Sequence, residues 1–349
     1  MKKSLVPEIK IKIDSKEISK TIFDKFVKLK VSSSNDAMDM AKIVFNDNRD
    51  FELQDESSFT IGKSISVYIG YNQSFKELFS GEICRVDYNF LQNGLNNIEL
   101  VCFDKLFKLS RIKHSQAFIK MKDSDIAKKL ASEAGLQSDV DATDTTIDYL
   151  FQNNQTNLDF LRMRAKRIGY EVAVDNNKFI FKKARFLNQD KCAEIKLEED
   201  LIEFSAKIDA TNVLEEIVVT SWDPVTKKRV EGSAKAGDEP KVASPAHKGT
   251  KEVKSKIKDK AKNYKIDIPN LKVKEAKAIA KAELTRRSMD FLTGYGSCIG
   301  NPDIKASKII TIKNIGKKVS GDYYVVSCEH IYGYNGYKTF FEVKNNGNN

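Results

Sequence analysis

The sequence predicts a mainly β protein with α+β parts, its β-rich ends separated by a helix-bearing middle. Three observations carry this expectation. Apolar and polar residues alternate through most of the first hundred positions, the spacing turns helical beyond Phe107, and the last fifty residues return to alternation. At 349 residues, 41% hydrophobic and 31% charged, the chain has apolar material for two or three domains with cores of their own.

In chain order, Ile9, Ile11 and Ile13, then Val27, Leu29 and Val31, then Ile65, Val67 and Ile69 fall on one face of successive strands. Residues 83–88 and 98–103 continue the pattern, with Asn93-Gly94 as the turn between them. DSDIAKKLASEAG, residues 123–135, reads as a capped helix with Ile126, Leu130 and Ala134 inward and Gly135 as its stop. In QTNLDFLRMRAKRIGYEV, Thr156 or Asn157 caps a second helix with the stripe Leu158, Leu161, Ala165 and Ile168, ended by Gly169. YEVAV and KFIF then flank the turn Asp175-Asn176-Asn177 as a short hairpin.

Strands resume at residues 202–208 and in LEEIVVTSWD, where Asp223-Pro224 opens a turn before KKRVEG. VKEAKAIAKAELTRRSMDFL, residues 273–292, reads as a long exposed helix, and GYGSCIG, residues 294–300, as a turn. KIITIKNIG is a strand. After it, Tyr324, Val326, Cys328 and His330 alternate with Tyr323, Val325, Ser327, Glu329 and Ile331, and Asn335-Gly336 turns the chain into Tyr337, Thr339, Phe341 and Val343.

The two ends share an order of signals. KSISVYIG is followed by Gly81, EICRVDY, Asn93-Gly94 and NIELVCF; SKIITIKNIG is followed by Gly321, DYYVVSC, Asn335-Gly336 and KTFFEV. The glycines stand 13 residues apart in one copy (81 to 94) and 15 in the other (321 to 336). An internal repeat produces such an order, and so can two unrelated β-meanders.

The formal charge of +10 raises nucleic-acid binding as a function. Ten lysines lie in residues 235–265, but they are interleaved with acids and lack the aromatics that would stack on bases. Elsewhere lysines alternate with apolar residues, as in EIKIKID and FVKLKV, the pattern of solvent-facing or edge strands. The five cysteines, Cys84, Cys102, Cys192, Cys298 and Cys328, are scattered with no CxxC, which suggests reduced thiols. No apolar run long enough for a membrane helix and no secretion signal at the N-terminus are present, so the chain is expected to fold in the cytoplasm without stable membrane insertion.

Catalytic chemistry finds little support. His114, His247 and His330 have no metal-ligand spacing around them, and GYGSCIG has the spacing GxGxxxG after a helix, not a phosphate-binding turn. Ser297 is outside any GxSxG elbow, Cys298 with His330 would be a bare nucleophile and base, and Glu198-Glu199 and Glu215-Glu216 are adjacent residues that point to opposite faces of a strand. No catalytic, cofactor-binding or metal residue is assigned. His330 is expected to be a packed residue, bonded to backbone or to a tyrosine hydroxyl.

The helix QTNLDFLRMRAKRIG, the turn Trp222-Asp223-Pro224, and GDYYV (residues 321–325) followed by His330 and by Gly336-Tyr337-x-Thr339 give the chain, over nearly its whole length, a pattern that resembles the late control protein D and VgrG family. These are central hub proteins of contractile phage tails, R-type bacteriocins and related injection systems. The resemblance implies two tube-type β-barrel domains, residues 1–107, and 196–232 with 296–349. It implies a small α+β middle domain at 108–195 and a Lys-rich insertion with a long helix at 233–295. It further implies a non-enzymatic homotrimer whose six barrels adapt a sixfold tail tube to a threefold spike, made in the bacterial cytoplasm and carried in the virion or tail-like particle. The implied partners are the tail tube protein, the spike and other baseplate proteins. VgrG-type chains continue into a spike, whereas this sequence stops at Asn349, so the spike is expected to be a separate polypeptide. A tail-associated peptidoglycan-degrading enzyme is the alternative.

Overall fold

The computed structural model describes residues 6–47, 52–54, 56–92, 96–175, 178–184, 186, 191–242, 247–257 and 263–348. Most of the chain is strand, and the largest sheet has 13 of them. That sheet holds two units of six strands. In the first unit the strands are, in sequence, Pro7–Ile13, Phe26–Ser34, Met40–Asn46, Ser64–Tyr71, Ser74–Asn89 and Asn97–Phe103. In the second they are Lys191–Lys196, Leu201–Ile208, Leu292–Ile299, Ile309–Lys313, Gly321–Gly333 and Gly336–Asn345. Both units pair in the order second, third, sixth, fifth, fourth, first. They differ at one pairing, since the first strand runs antiparallel to the fourth in the first unit and parallel to it in the second.

Irregularities fall at matching places. The fifth and sixth strands carry a bulge between Ile83 and Arg85 in one unit and between Val325 and Ser327 in the other. The second and third carry one between Phe26 and Lys28, and between Leu201 and Glu203. Ile83 exchanges backbone hydrogen bonds with Gly62 and Lys63, as Val325 does with Ser307 and Lys308. Val325 therefore corresponds to Ile83 and Phe204 to Leu29. Gly81 then corresponds to Tyr323, so matching it to Gly321 on sequence alone slips by two residues, which accounts for the unequal glycine spacings. Asn93-Gly94 lies outside the described residues, as do Asn176 and Asn177 and, in the Lys-rich stretch, residues 243–246 and 258–262.

Each unit curls around its own core. Ile9, Ile11 and Ile13 at one end of the first unit and Leu29 and Val31 at the other share one apolar cluster with Ile43, Ile65, Val67 and Leu100. The second unit buries Ile195, Ile310, Ile312, Tyr323, Val325, Phe341 and Val343 in another. The expected barrels are not closed by hydrogen bonds among the described residues. In the first unit the outer edge of the second strand is taken by the second unit, with Ser34 paired to Ser327, Val31 to His330 and Lys28 to Gly333; in the second unit the outer edge of Leu201–Ile208 forms no ladder among the described residues. One sheet thus runs through both units.

Between them in sequence, residues 106–181 fold around a third core built by two helices and short strands. Thr156 caps the helix Asn157–Arg167 by accepting from Asp159 N at 3.1 Å, and Gly135 and Gly169, at φ +68° and +72°, end the two helices. Arg164 and Asp123, both buried, form a two-pronged ion pair at 2.6 and 3.0 Å that ties the helices together.

Three expectations change in the region 209–300. The strands Glu216–Asp223 and Lys228–Lys235, grouped in sequence up to residue 232 with the second β unit, belong instead to a separate three-stranded sheet in which Glu216–Asp223 pairs with both Lys228–Lys235 and Asn263–Asp267. Their alternation is real, but its apolar face, Ile217, Val219, Val230 and Ala234, is met by Ala276, Ile279, Ala280 and Leu284. That meeting also corrects the exposed helix: Val273–Ser288 buries one face against this sheet. GYGSCIG is not a turn but largely the strand Leu292–Ile299, with Phe204 lying over Gly294 and Gly296. The insertion between the second and third strands leaves at Ile208 and returns at Leu292, which are paired neighbours.

Candidate functional site

His330 sits where the two units meet, on the fifth strand of the second unit and opposite Val31 of the first. It is 2% exposed. Nε2 lies 2.9 Å from the carbonyl oxygen of Ile304, which can only accept, so Nε2 carries the proton. Nδ1 is left as an acceptor, facing the Tyr337 hydroxyl at 2.9 Å and the Thr339 hydroxyl at 3.1 Å. Thr339 accepts in turn from Asn301 N at 2.9 Å. Burial drives the imidazole pKa down to about 4, so the ring is neutral near pH 7. With both nitrogens engaged it holds a strand, a hairpin and a loop in place.

The sulfur beside His330 is Cys328, 3.8 Å from Nε2, and burial pushes that thiol up to about 12. Cys298 is buried on the strand Leu292–Ile299, opposite Thr339, and its thiol is likewise held at about 12. Ser297 bonds Glu203 at 3.1 Å. Glu198 and Glu199 lie in the tight turn before Leu201, and Glu216 pairs with Lys235 across a strand ladder. His114 pairs with Gln155 on a two-stranded sheet, and His247 with Asn348 on another. Of these, Cys328 alone is in contact with His330, and Cys298 lies behind Thr339. Among the described residues, no group of three or more His, Cys, Asp and Glu is placed to hold a metal ion, and no helix is long and apolar enough to cross a membrane.

A cleft of about 700 Å³ opens between the helices Asn157–Arg167 and Val273–Ser288. Its acids are Asp36, Glu171 and Asp290; Asp290 pairs with Lys344 at 2.8 Å and Glu171 accepts from the Tyr324 hydroxyl. Two of these three carboxylates are thus already engaged, one by a lysine and one by a tyrosine hydroxyl.

The feature with the clearest geometry is therefore the junction of the two units. Lys30 and Glu329 pair at 2.7 Å on its outer face, where Ser32 also donates to Glu329 at 3.5 Å. On its inner face Leu29 and Val31 are buried against Tyr332 and His330. Tyr71 of the first unit donates to Gly300 of the second at 2.8 Å, and Lys76 pairs with Asp303 at 2.6 Å. Sequence patterns fix which face of a strand is apolar, not which edge it shares, so this junction carried no signal in the sequence.

A family model described as the Alg8 N-terminal domain matches residues 3–333. No curated protein matches the chain in sequence. Among solved structures, the 43 kDa tail protein of prophage MuSo2 from Shewanella oneidensis aligns at a TM-score of 0.70 and 13% identity over 97% of this chain and 98% of its own. A tail protein from Neisseria meningitidis MC58 aligns at 0.70 and 12% identity, over 97% and 96%. The E. coli c3393 protein, a component of the type VI secretion system, aligns at 0.61 and 8% identity, over 97% of this chain and 76% of its own. At these identities the likeness is one of fold, and it spans both β units, the middle and the insertion.

Proposed function

The chain belongs to the Alg8 N-terminal domain family, and from that premise we propose that it is a structural baseplate hub of a contractile phage tail or tail-like injection particle. Three copies form a ring of six β units that passes from a sixfold tail tube to a threefold spike. The observation that carries this is the duplication: two units with one strand order, bulged at matching positions and joined edge to edge within one chain. Three chains, each supplying two like units, make six quasi-equivalent positions from a threefold assembly. The tail-protein fold and the late control protein D resemblance favour the same reading.

The two tube-like domains in this proposal are the two six-stranded units, with the middle at about residues 108–190 and the insertion hung between the second and third strands of the second unit. The hub carries no enzymatic step, takes no cofactor, and has nucleic acid and membrane only as neighbours of the particle. Its partners are a second and third copy of itself, the tail tube protein, the spike and other baseplate proteins. The test is the mass of the full chain alone and with the spike and tube proteins, followed by imaging of the complex. Three copies in a ring with six similar lobes are expected; any other number overturns the symmetry-adaptor role. Turnover of purified cell walls that disappears when one carboxylate is replaced would overturn the non-enzymatic part.

A further inference from the structure

The correspondence between the units assigns partners to two edges that the single chain leaves open. Within the chain, the second strand of the first unit pairs with residues 327–333 of the fifth strand of the second unit. The counterparts of these segments are the second strand of the second unit, Leu201–Ile208, and the distal half of the fifth strand of the first, up to Asn89. Among the described residues, Leu201–Ile208 pairs along its length only with Leu292–Ile299. The strand Ser74–Asn89 pairs with Ser64–Tyr71 up to Glu82 and through Ile83 with Gly62 and Lys63, and beyond Ile83 its described ladder is only with Asn97–Phe103 on its other edge.

We propose that these two edges pair with each other between neighbouring copies of the chain, in the register of the internal junction. Matching Val325 to Ile83 and Leu29 to Phe204 carries the internal pairs Ser327 with Ser34, Glu329 with Ser32, and His330 with Val31 over to new ones. Arg85 meets Asp209, Val86 meets Ile208, Asp87 meets Lys207, Tyr88 meets Ala206, and Asn89 meets Ser205. The internal junction knows nothing of the side chains at the open edges, yet the transferred register sets both acids against both bases. Alternate residues of a strand share a face, so Arg85, Asp87, Lys207 and Asp209 lie together on the outer face.

In the single chain these charges are paired along their own strands, Arg85 with Asp87 at 3.0 Å and Lys207 with Asp209 at 2.5 Å. Docking exchanges them across the new ladder, where Lys30 and Glu329 stand in the internal one. The inner face agrees as well. Tyr88, the counterpart of His330, is 45% exposed, and Ile208, the counterpart of Ser33, is 46% exposed. Both are covered when the edges join, as the residues of the internal junction are. Strand addition of this kind satisfies backbone groups and lets side chains fix the register.

The pairing rests on the ring reading for its stoichiometry but takes its register from the chain alone. Two populations of the full chain are mixed at high concentration with the spike protein, both carrying Cys84→Ser and Cys192→Ser to remove the half-buried thiols. One carries Asp87→Cys and the other Lys207→Cys; a second mixture replaces Lys207→Cys by Glu203→Cys, four residues along the strand. Disulfide-linked pairs from the first mixture and at least about tenfold fewer from the second support the register. Charge reversal gives an independent readout: Asp87→Lys or Lys207→Asp alone weakens assembly at least about tenfold, and the two together in one chain restore it. A three-copy ring that forms without the 87–207 link, or with the 87–203 link in its place, overturns the pairing and leaves the ring standing. No oligomer and no link overturns both.

Discussion

The two six-stranded units fill the same strand order with different chemistry. Where the first unit sets Leu29 beside Ile43, the second sets Phe204 beside Gly296 at the corresponding positions, and where the first has Val31 beside Ala41, the second has Ala206 beside Gly294. Bulk removed from one strand is restored by its neighbour, since the Phe204 ring lies over both glycines. In the second unit His330 and Thr339 are buried within paired strands and satisfied by named partners, whereas the buried polar residues of the first, Asp47, Asn96 and Asp104, stand just beyond strand ends. Pairing order and bulges define the unit, and its interior can be rebuilt around them provided volume and hydrogen bonds are conserved.

Swapping residues between units tests this, and the largest effect is expected at the glycines. A Cβ on Gly296 would stand 2.9 Å from the Phe204 ring and 2.7 Å from the Glu203 carbonyl oxygen. Gly296→Ile, the residue of the first unit at that position, should destabilise the second unit by about 3 kcal/mol or more in thermal unfolding. Adding Phe204→Leu should recover a large part of the loss; no recovery would break the volume exchange.

His330 comes next. The unfolded imidazole takes up a proton near pH 6.5, while the buried one does so only near 4. Between these values the unfolded chain holds more protons, so stability falls as pH drops through that window and levels off below it, by up to about 3 kcal/mol. His330→Gln keeps a donor for Ile304 and removes the titration. Its stability measured from pH 7 to 4 should lose this component of the slope; an unchanged slope would sink the assignment.

Asp104 pulls in the opposite direction. It stands at the end of the first unit where Asn345 ends the second, and both side chains accept from the amide two residues on, Leu106 at 2.8 Å and Gly347 at 3.1 Å. Burial, with Asp39 nearby, raises the carboxyl pKa to about 7. The native state therefore holds the proton across a range where the unfolded chain has released it, and that stabilisation is lost as pH rises through 7. Asp104→Asn, which copies the second unit, should be more stable than the parent by about 1 kcal/mol at pH 8 and show no gain at pH 4. The smallest effect is expected at the half-exposed pair of Lys30 and Glu329, where Glu329→Gln should cost less than about 1 kcal/mol in the same measurement.

How much of this was legible in the sequence follows from what period and turn signals encode. Alternation in FVKLKV and EICRVDY located strands and their buried faces, and Gly135 and Gly169 marked the helix ends, because these are local properties. The order of signals around Gly81 and Gly321 pointed to two like units, but the residue-level match slipped by two. Hydrogen-bond register is set by partners far along the chain, which glycine spacing does not report. The same limit put 216–232 in the wrong sheet: Ile217 and Val219 look alike whether a neighbouring strand or a helix covers them. His330 read correctly as packed beside a tyrosine, while the Asp123–Arg164 ion pair gave no warning, its partners standing on separate helices 41 residues apart.

The insertion hung between Ile208 and Leu292 has a consequence in time. Every strand of the first unit is complete by Phe103, so its contacts close over short stretches of chain and it can form early during synthesis. The second unit cannot follow suit, because its second and third strands are neighbours in space with the whole insertion between them, and its last strand ends at Asn345. The junction is slower still, joining Lys30 to Ile331. While the ribosome works through the intervening residues, the outer edge of Phe26–Ser34 has no partner on its own chain. Nascent chains crowded on one message would then compete for that edge, and growth at lower temperature or with fewer ribosomes per message should raise the yield of correctly joined molecules.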